Sequence, residues 1–186
     1  ELGPMSFQVP NGVVDILVKD EAEAVDTAKK YLSYFQGTID EWEAPDQRKL
    51  RQIVPENRMR LYDMREIIET IADKDSVLEI REKFGIGVIT SFIRVEGKPM
   101  GVIANNPHHI AGAIDSDGAD KGARFVQLCD AFDIPILSLM DCPGMMVGPD
   151  VESTALVRHC VRMFNAGANL TTPMFLTVVR KAYGLG

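Results

Sequence analysis

IPILSLMDCPGMMVG, Ile134 to Gly148, is an apolar run of strand length that breaks at Pro143-Gly144 and is followed by ESTALVRHCVRMFNAG, Glu152 to Gly167, which has helical spacing of apolar residues. Strand, glycine turn and helix in that order leave backbone amides open at the carboxyl end of a strand, where α/β proteins hold their ligands. No Lys or Arg occurs between Phe125 and Val157, so the cationic side chains that usually grip phosphate are missing. The turn is expected to receive something other than a phosphate.

Before this stretch a helix is expected over Lys121–Ala131 with Phe125, Val126, Leu128 and Cys129 inward. GIGVITSFIRVEG and KPMGVIAN read as an antiparallel pair joined around Gly97-Lys98. In LYDMREIIETIADKDSVLEI, Asp63 and Glu66 form a capping box and Met64, Ile67, Ile68 and Ile71 an apolar helix face. Downstream, PMFLTVVR is a last strand that reaches a Gly turn. The order from Gly85 is therefore β-β-α-β-α-β, which places Gly144 and Gly184 to Gly186 on one rim. Nearer the N-terminus, Asn11-Gly12 signals a turn or hairpin. Asp20 and Glu23 cap a helix that turns Val25, Ala28, Leu32 and Phe35 inward. From Gln36 to Met59 the chain is polar, with Pro45, Pro55 and the single Trp42, and reads as a linker lying on a surface. The natural division is residues 1–54 and 55–186.

The 186 residues suffice for one core with an appendage, and 46% hydrophobic with 25% charged residues is an ordinary soluble composition. A net charge of -7 leaves no basic stripe for nucleic acid. No apolar run reaches the ~18 residues of a membrane span, and no signal pattern opens the chain. The expected compartment is the cytosol, or the mitochondrial matrix after removal of a transit peptide. Three cysteines, Cys129, Cys142 and Cys160, fit neither a disulfide framework nor a zinc site. DSDGADKG lacks the twelfth-position Glu of a calcium loop and is read as a solvated loop capping the Lys121 helix. The neighbours His108-His109 and His159-Cys160 cannot converge on one atom, so no metal is assigned. GxSxG, Walker A and GxGxxG are absent. Two readings of the glycine turns stay open on spacing alone. They are ordinary structural turns, or they form an oxyanion hole whose amides converge on developing negative charge.

LYDMREIIETIADKDSVLEI, VEGKPMGVIANNP, DKGARFVQLCDAFDIPILSLMDCPGMMVG and TPMFLTVVRKAYG, in this order, resemble the β-type carboxyltransferase chains of biotin-dependent acyl-CoA carboxylases, the acetyl-CoA and propionyl-CoA carboxylase family. The similarity runs from about Val54 to Gly186, while GVVDILVKDEAEAVDTAKKYLSYF looks like the end of the preceding half of such a chain. What the resemblance implies is an α/β crotonase-like spiral of ββα units, incomplete here, with an N-terminal helical appendage. It implies carboxyl transfer from carboxybiotin to an acyl-CoA, with residues 55–186 forming the half that receives biotin. By position, Leu185 and Gly186 match the family's backbone oxyanion donors, and Gly144 and Met145 match the facing turn. Gly144, Met145, Met146 and Gly184 would line the biotin ring. Biotin must arrive on another domain or subunit, because no Ala-Met-Lys-Met site occurs. The implied partners are acyl-CoA, biotin carboxyl carrier, biotin carboxylase and further copies of the chain. The family commonly reads KAYGGAY where this chain has KAYGLG, so Leu185 stands in place of a Gly. Two alternatives share the fold: the carboxyltransferase of a biotin-dependent decarboxylase, and a non-catalytic assembly domain. The chain reads as a fragment, expected to be inactive alone.

Overall fold

The computed structural model describes residues 3–184. Its centre is a five-stranded sheet of β1 (Leu78–Ile80), β2 (Val88–Val95), β3 (Lys98–Asn105), β4 (Ile136–Cys142) and β5 (Met174–Ala182), arranged in that order. The pairs β1–β2 and β2–β3 are antiparallel, whereas β3–β4 and β4–β5 are parallel. Parallel neighbours need crossovers. Helix α5 (Ser116–Ala131) supplies the first, and α6 (Pro149–Glu152) with α7 (Leu156–Ala168) the second. The expected β-β-α-β-α-β order is present, preceded by β1, which three residues of mixed polarity did not announce.

Both faces of the sheet are covered over β2, β3 and β4, which is why these strands read as nearly continuous apolar runs. On one face Val88, Phe92, Ile103 and Ile136 meet Phe125, Val126 and Cys129 of α5. On the other, Ile89, Ile93, Val102, Ala104 and Leu139 meet Met64, Ile67 and Ile68 of α4 (Met64–Ile71). Asp63 caps α4 by accepting from Arg65 N at 2.9 Å.

Several expectations are corrected. The β2–β3 turn is centred on Glu96-Gly97, one residue early, with φ of 51° and 74°. Helix α5 begins five residues before Lys121. Asp115 is its N-cap and accepts from Gly118 N at 2.7 Å, so the expected capping is present, but Ser116–Gly118 is the helix's first turn and not a solvated loop. The helix expected over Glu152–Gly167 is interrupted at Ala155, whose φ is 57°. The N-terminal segment forms the turn expected at Asn11-Gly12, without a hairpin. Its short helix α1 (Met5–Gln8) leads into a turn in which Asn11 Oδ1 accepts from Val13 N at 3.1 Å.

Helix α2 (Glu21–Ser33) starts at its capping box as expected, but Val25, Ala28 and Leu32 face outward. Tyr31, Tyr34 and Phe35 instead surround Phe92. The C-terminal turn of α2 sets this orientation. Lys30 Nζ donates to Asp75 O at 2.8 Å and Val77 O at 2.9 Å, and the buried Arg94 donates to Ser33 O at 2.7 Å and to the carbonyls of Gly37 and Gly97. The linker lies along the surface as expected, except that α3 (Leu50–Ile53) packs Leu50 and Ile53 against the second core.

Candidate active site at the β4 and β5 turns

Strands β4 and β5 run side by side and deliver their following turns to the same edge. Tyr183 N donates to Cys142 O at 3.0 Å, closing the pair. Gly144 (φ 126°) and Gly184 (φ 63°) then pack backbone to backbone: a Cβ placed on Gly144 would sit 3.4 Å from Tyr183 O and 3.7 Å from Gly184 Cα. Glycine is required at Gly144 by its left-handed backbone. Leu185 and Gly186, the other two donors assigned from the sequence, lie outside the described residues.

The amides of the β4 turn differ in what they can do. Gly144 N donates to Cys142 Sγ at 3.3 Å, and Met146 N donates to Ile114 O at 3.0 Å. Met145 N has no partner among the described residues. Ile114 N in turn donates to Gly144 O at 3.1 Å, so the turn is held between β5 and the Ile114 backbone, with Met145 in a parallel bridge. The Met145 and Met146 side chains are half-buried against Ile114, Cys142, Leu156 and Cys160. Burial pushes the Cys142 thiol up, as it does Cys160, and Cys129 is pushed up to about 12. All three stay protonated thiols rather than nucleophiles.

Beneath the turn lies a polar bridge that sequence reasoning missed. Asp141 is fully buried and accepts from Tyr62 Oη at 2.8 Å and Arg180 Nε at 3.1 Å, with Lys181 Nζ 3.4 Å away. Burial and the bond to Asp141 raise the Tyr62 hydroxyl well above its ordinary value. Arg180 also stacks over the Tyr62 ring at 4.9 Å and donates to Arg60 O, while Lys181 donates to Ala111 O at 2.8 Å. Asn105 joins the same unit, donating to Gly112 O at 3.0 Å and accepting from Asp141 N at 3.3 Å. Gly112 (φ 87°) touches the Asp141 backbone, where a Cβ would run into the Asp141 carbonyl. Thus the strap Ile110–Gly112, the end of β4 and the end of β5 form one braced unit around the Gly144 turn. The one available signal was Arg180-Lys181 standing just before the second glycine turn.

The histidines are engaged separately: His109 pairs with Asp115 at 3.0 Å and His159 with Asp120 at 2.8 Å. Among the described residues no group of three His, Cys, Asp or Glu could hold a metal ion, and no helix is long and apolar enough to cross a membrane.

The carboxyl transferase domain model matches residues 2–186. The chain belongs to the carboxyl transferase domain family. It is 44% identical over 135 residues to the propionyl-CoA carboxylase beta chain of Roseobacter denitrificans, covering 73% of this chain and 26% of that one. A single-chain, multi-domain long-chain acyl-CoA carboxylase superposes with a TM-score of 0.97 at 53% identity over 99% of this chain and 19% of its own. The transcarboxylase 12S hexamer, solved with methylmalonyl-CoA bound, gives 0.89 at 32% identity over 98% of this chain and 38% of its own. The family fold is crotonase-like, as the resemblance implied. The chain spans less than two fifths of the length of each of these relatives.

Proposed function

We propose that the full-length protein carrying this chain transfers a carboxyl group from carboxybiotin to an acyl-CoA of the acetyl or propionyl class, as the carboxyltransferase of a biotin-dependent carboxylase. In this reading residues 1–54 end the preceding half and residues 55–186 belong to the half that receives biotin. The observation that carries it is the backbone contact of Gly144 with Gly184 at the carboxyl ends of two adjacent parallel strands.

The residues present fit a biotin ring. Met145 offers an N–H with no partner among the described residues, a Cβ on either glycine would narrow the cradle, and the turn carries methionines and no cation. That donor set suits a neutral carbonyl better than a phosphate. Biotin, borne on a separate domain or subunit, supplies the carboxyl group and a ureido oxygen on which charge develops. In this reading the Met145 amide would hold an oxygen at that position, with Leu185 and Gly186 as the further donors that the family resemblance assigns. Met145 and Met146 exclude water from it, and Gly184 leaves room for the ring. Asp141, through Arg180 and Lys181, fixes the spacing of the two turns. Acyl-CoA, a biotin carboxyl carrier, a biotin carboxylase and further copies of the chain are the partners this reading requires.

Gly144→Ala in the full-length enzyme puts a side chain at a left-handed backbone position and shifts the Met145 amide. A loss of about 10²–10³ in kcat with acyl-CoA affinity nearly unchanged is expected, the size seen when one oxyanion donor is removed. Steady-state kinetics of acyl-CoA carboxylation check this. A variant with the wild-type kcat overturns the assignment.

A further inference from the structure

A cavity of about 320 Å³ opens between α5, β1, β2 and the segment carrying Asp15 and Tyr31, at the edge of the sheet opposite β5. Buried Ile80, Thr90, Lys121 and Phe125 form its floor, and exposed Arg124 and Gln127 stand at its mouth. Lys121 is 1% exposed, and its Nζ has no hydrogen-bond partner among the described residues. Lysine is almost never fully buried unless it is paired, so this ammonium at the cavity floor is a candidate partner for an anion.

The neighbouring charges do not fill that role. Glu79 is committed to Arg65 at 2.7 Å, and Arg81 is committed to Asp15 at 2.7 Å. Arg124 makes no ion pair among the described residues. The cavity therefore holds two unengaged cations, one at the floor and one at the mouth. They lie three residues apart on α5 and so share one helix face. The apolar part of the lining is Ile80, Phe125, Leu128 and the Tyr31 ring, beside Thr90 and the Asp15–Arg81 pair. Lysine's flexible four-carbon stem allows its ammonium to turn into the cavity.

We propose that this cavity binds a small dicarboxylate, one carboxylate meeting Lys121 and the other Arg124, with its short carbon chain against Ile80, Phe125 and Leu128. A bare phosphate would leave the apolar wall unused. Burial holds Lys121 down to about 8; Glu79 and Glu82 oppose that shift and Arg65 and Arg81 add to it, with Asp15, Tyr31 and Arg124 lining the same cavity. Binding is thus expected to weaken as pH rises above 8.

The test is isothermal titration of the full-length protein with succinate and with inorganic phosphate at low ionic strength and pH 7. Saturable succinate binding is expected, about tenfold tighter than phosphate, and weakened about tenfold or more by Lys121→Met and by Arg124→Gln. Lys121→Met keeps the volume while removing a buried charge. Arg124→Gln is exposed and leaves the core intact, so it tests the site even if the first variant folds poorly. Absence of saturable succinate binding, phosphate binding as tightly as succinate, or wild-type affinity in Arg124→Gln would each overturn the proposal.

Discussion

Asp141 has no solvent contact, and Tyr62 and the adjacent Arg180 and Lys181 reach it from opposite sides in the sequence. Removing a buried charge strands the groups that surrounded it. Asp141→Ala is therefore expected to cost roughly 3–5 kcal/mol, and Tyr62→Phe about 1–2 kcal/mol, both read from urea denaturation. Lys121 argues in the other direction. Its folded value of about 8 lies below its ordinary 10.5, so between those limits the unfolded chain holds more protons. The penalty is complete below pH 8 and is relieved as pH rises toward 10.5; the gap corresponds to roughly 3 kcal/mol. In buffer free of carboxylates, Lys121→Met is expected to raise stability at pH 7 by about 1–3 kcal/mol. It should also abolish the rise in stability between pH 8 and 10.5, which urea melts at pH 7 and 9 would register.

The β2–β3 hairpin depends on Glu96 and Gly97 both adopting positive φ, as a two-residue turn between twisted strands demands. Asp73 stabilises it by accepting from Glu96 N at 3.0 Å and Gly97 N at 2.7 Å. Glutamate is a poor residue for that conformation. Glu96→Asn is expected to stabilise the chain by about 0.5–1 kcal/mol, seen as a higher Tm at constant cooperativity. How far such elements could be read in advance depended on how local their causes are. The caps at Asp20 and Asp63 bond to amides two or three residues away, and so they stood in the sequence. The inward face of α2 did not, because Lys30 and Arg94 set it through bonds to carbonyls elsewhere. Those bonds turn Tyr31 and Tyr34 to the core in place of the more apolar Val25 and Leu32. The start of α5 was obscured by Asp-Ser-Asp-Gly, a loop-like composition that here serves as an N-cap and a first turn packed against Val88.

At the scale of the whole molecule, the glycine turns were legible because strand, Pro-Gly and helix are consecutive in sequence. The Asp141 bridge was not, because its partners Tyr62 and Arg180 are 79 and 39 residues distant. The sheet is left uncovered at one end. Strand β5 pairs with β4 along one edge, and Met174, Phe175, Leu176 and Val178 are 43–61% exposed. Val157, Val161 and Phe164 of α7 are exposed as well. A long apolar edge strand with free N–H and C=O groups is a template for pairing with other chains. The 186-residue chain by itself is therefore expected to self-associate as its concentration rises, with light scattering reporting a growing mean mass. Phe175→Lys places a charge on that edge without touching the core and is expected to suppress the association while leaving the far-ultraviolet circular dichroism unchanged. If the wild-type chain stays monodisperse and monomeric over a wide concentration range, the edge does not act as a pairing surface. If Phe175→Lys associates as the wild type does, another surface, with α7 the next candidate, drives the contact.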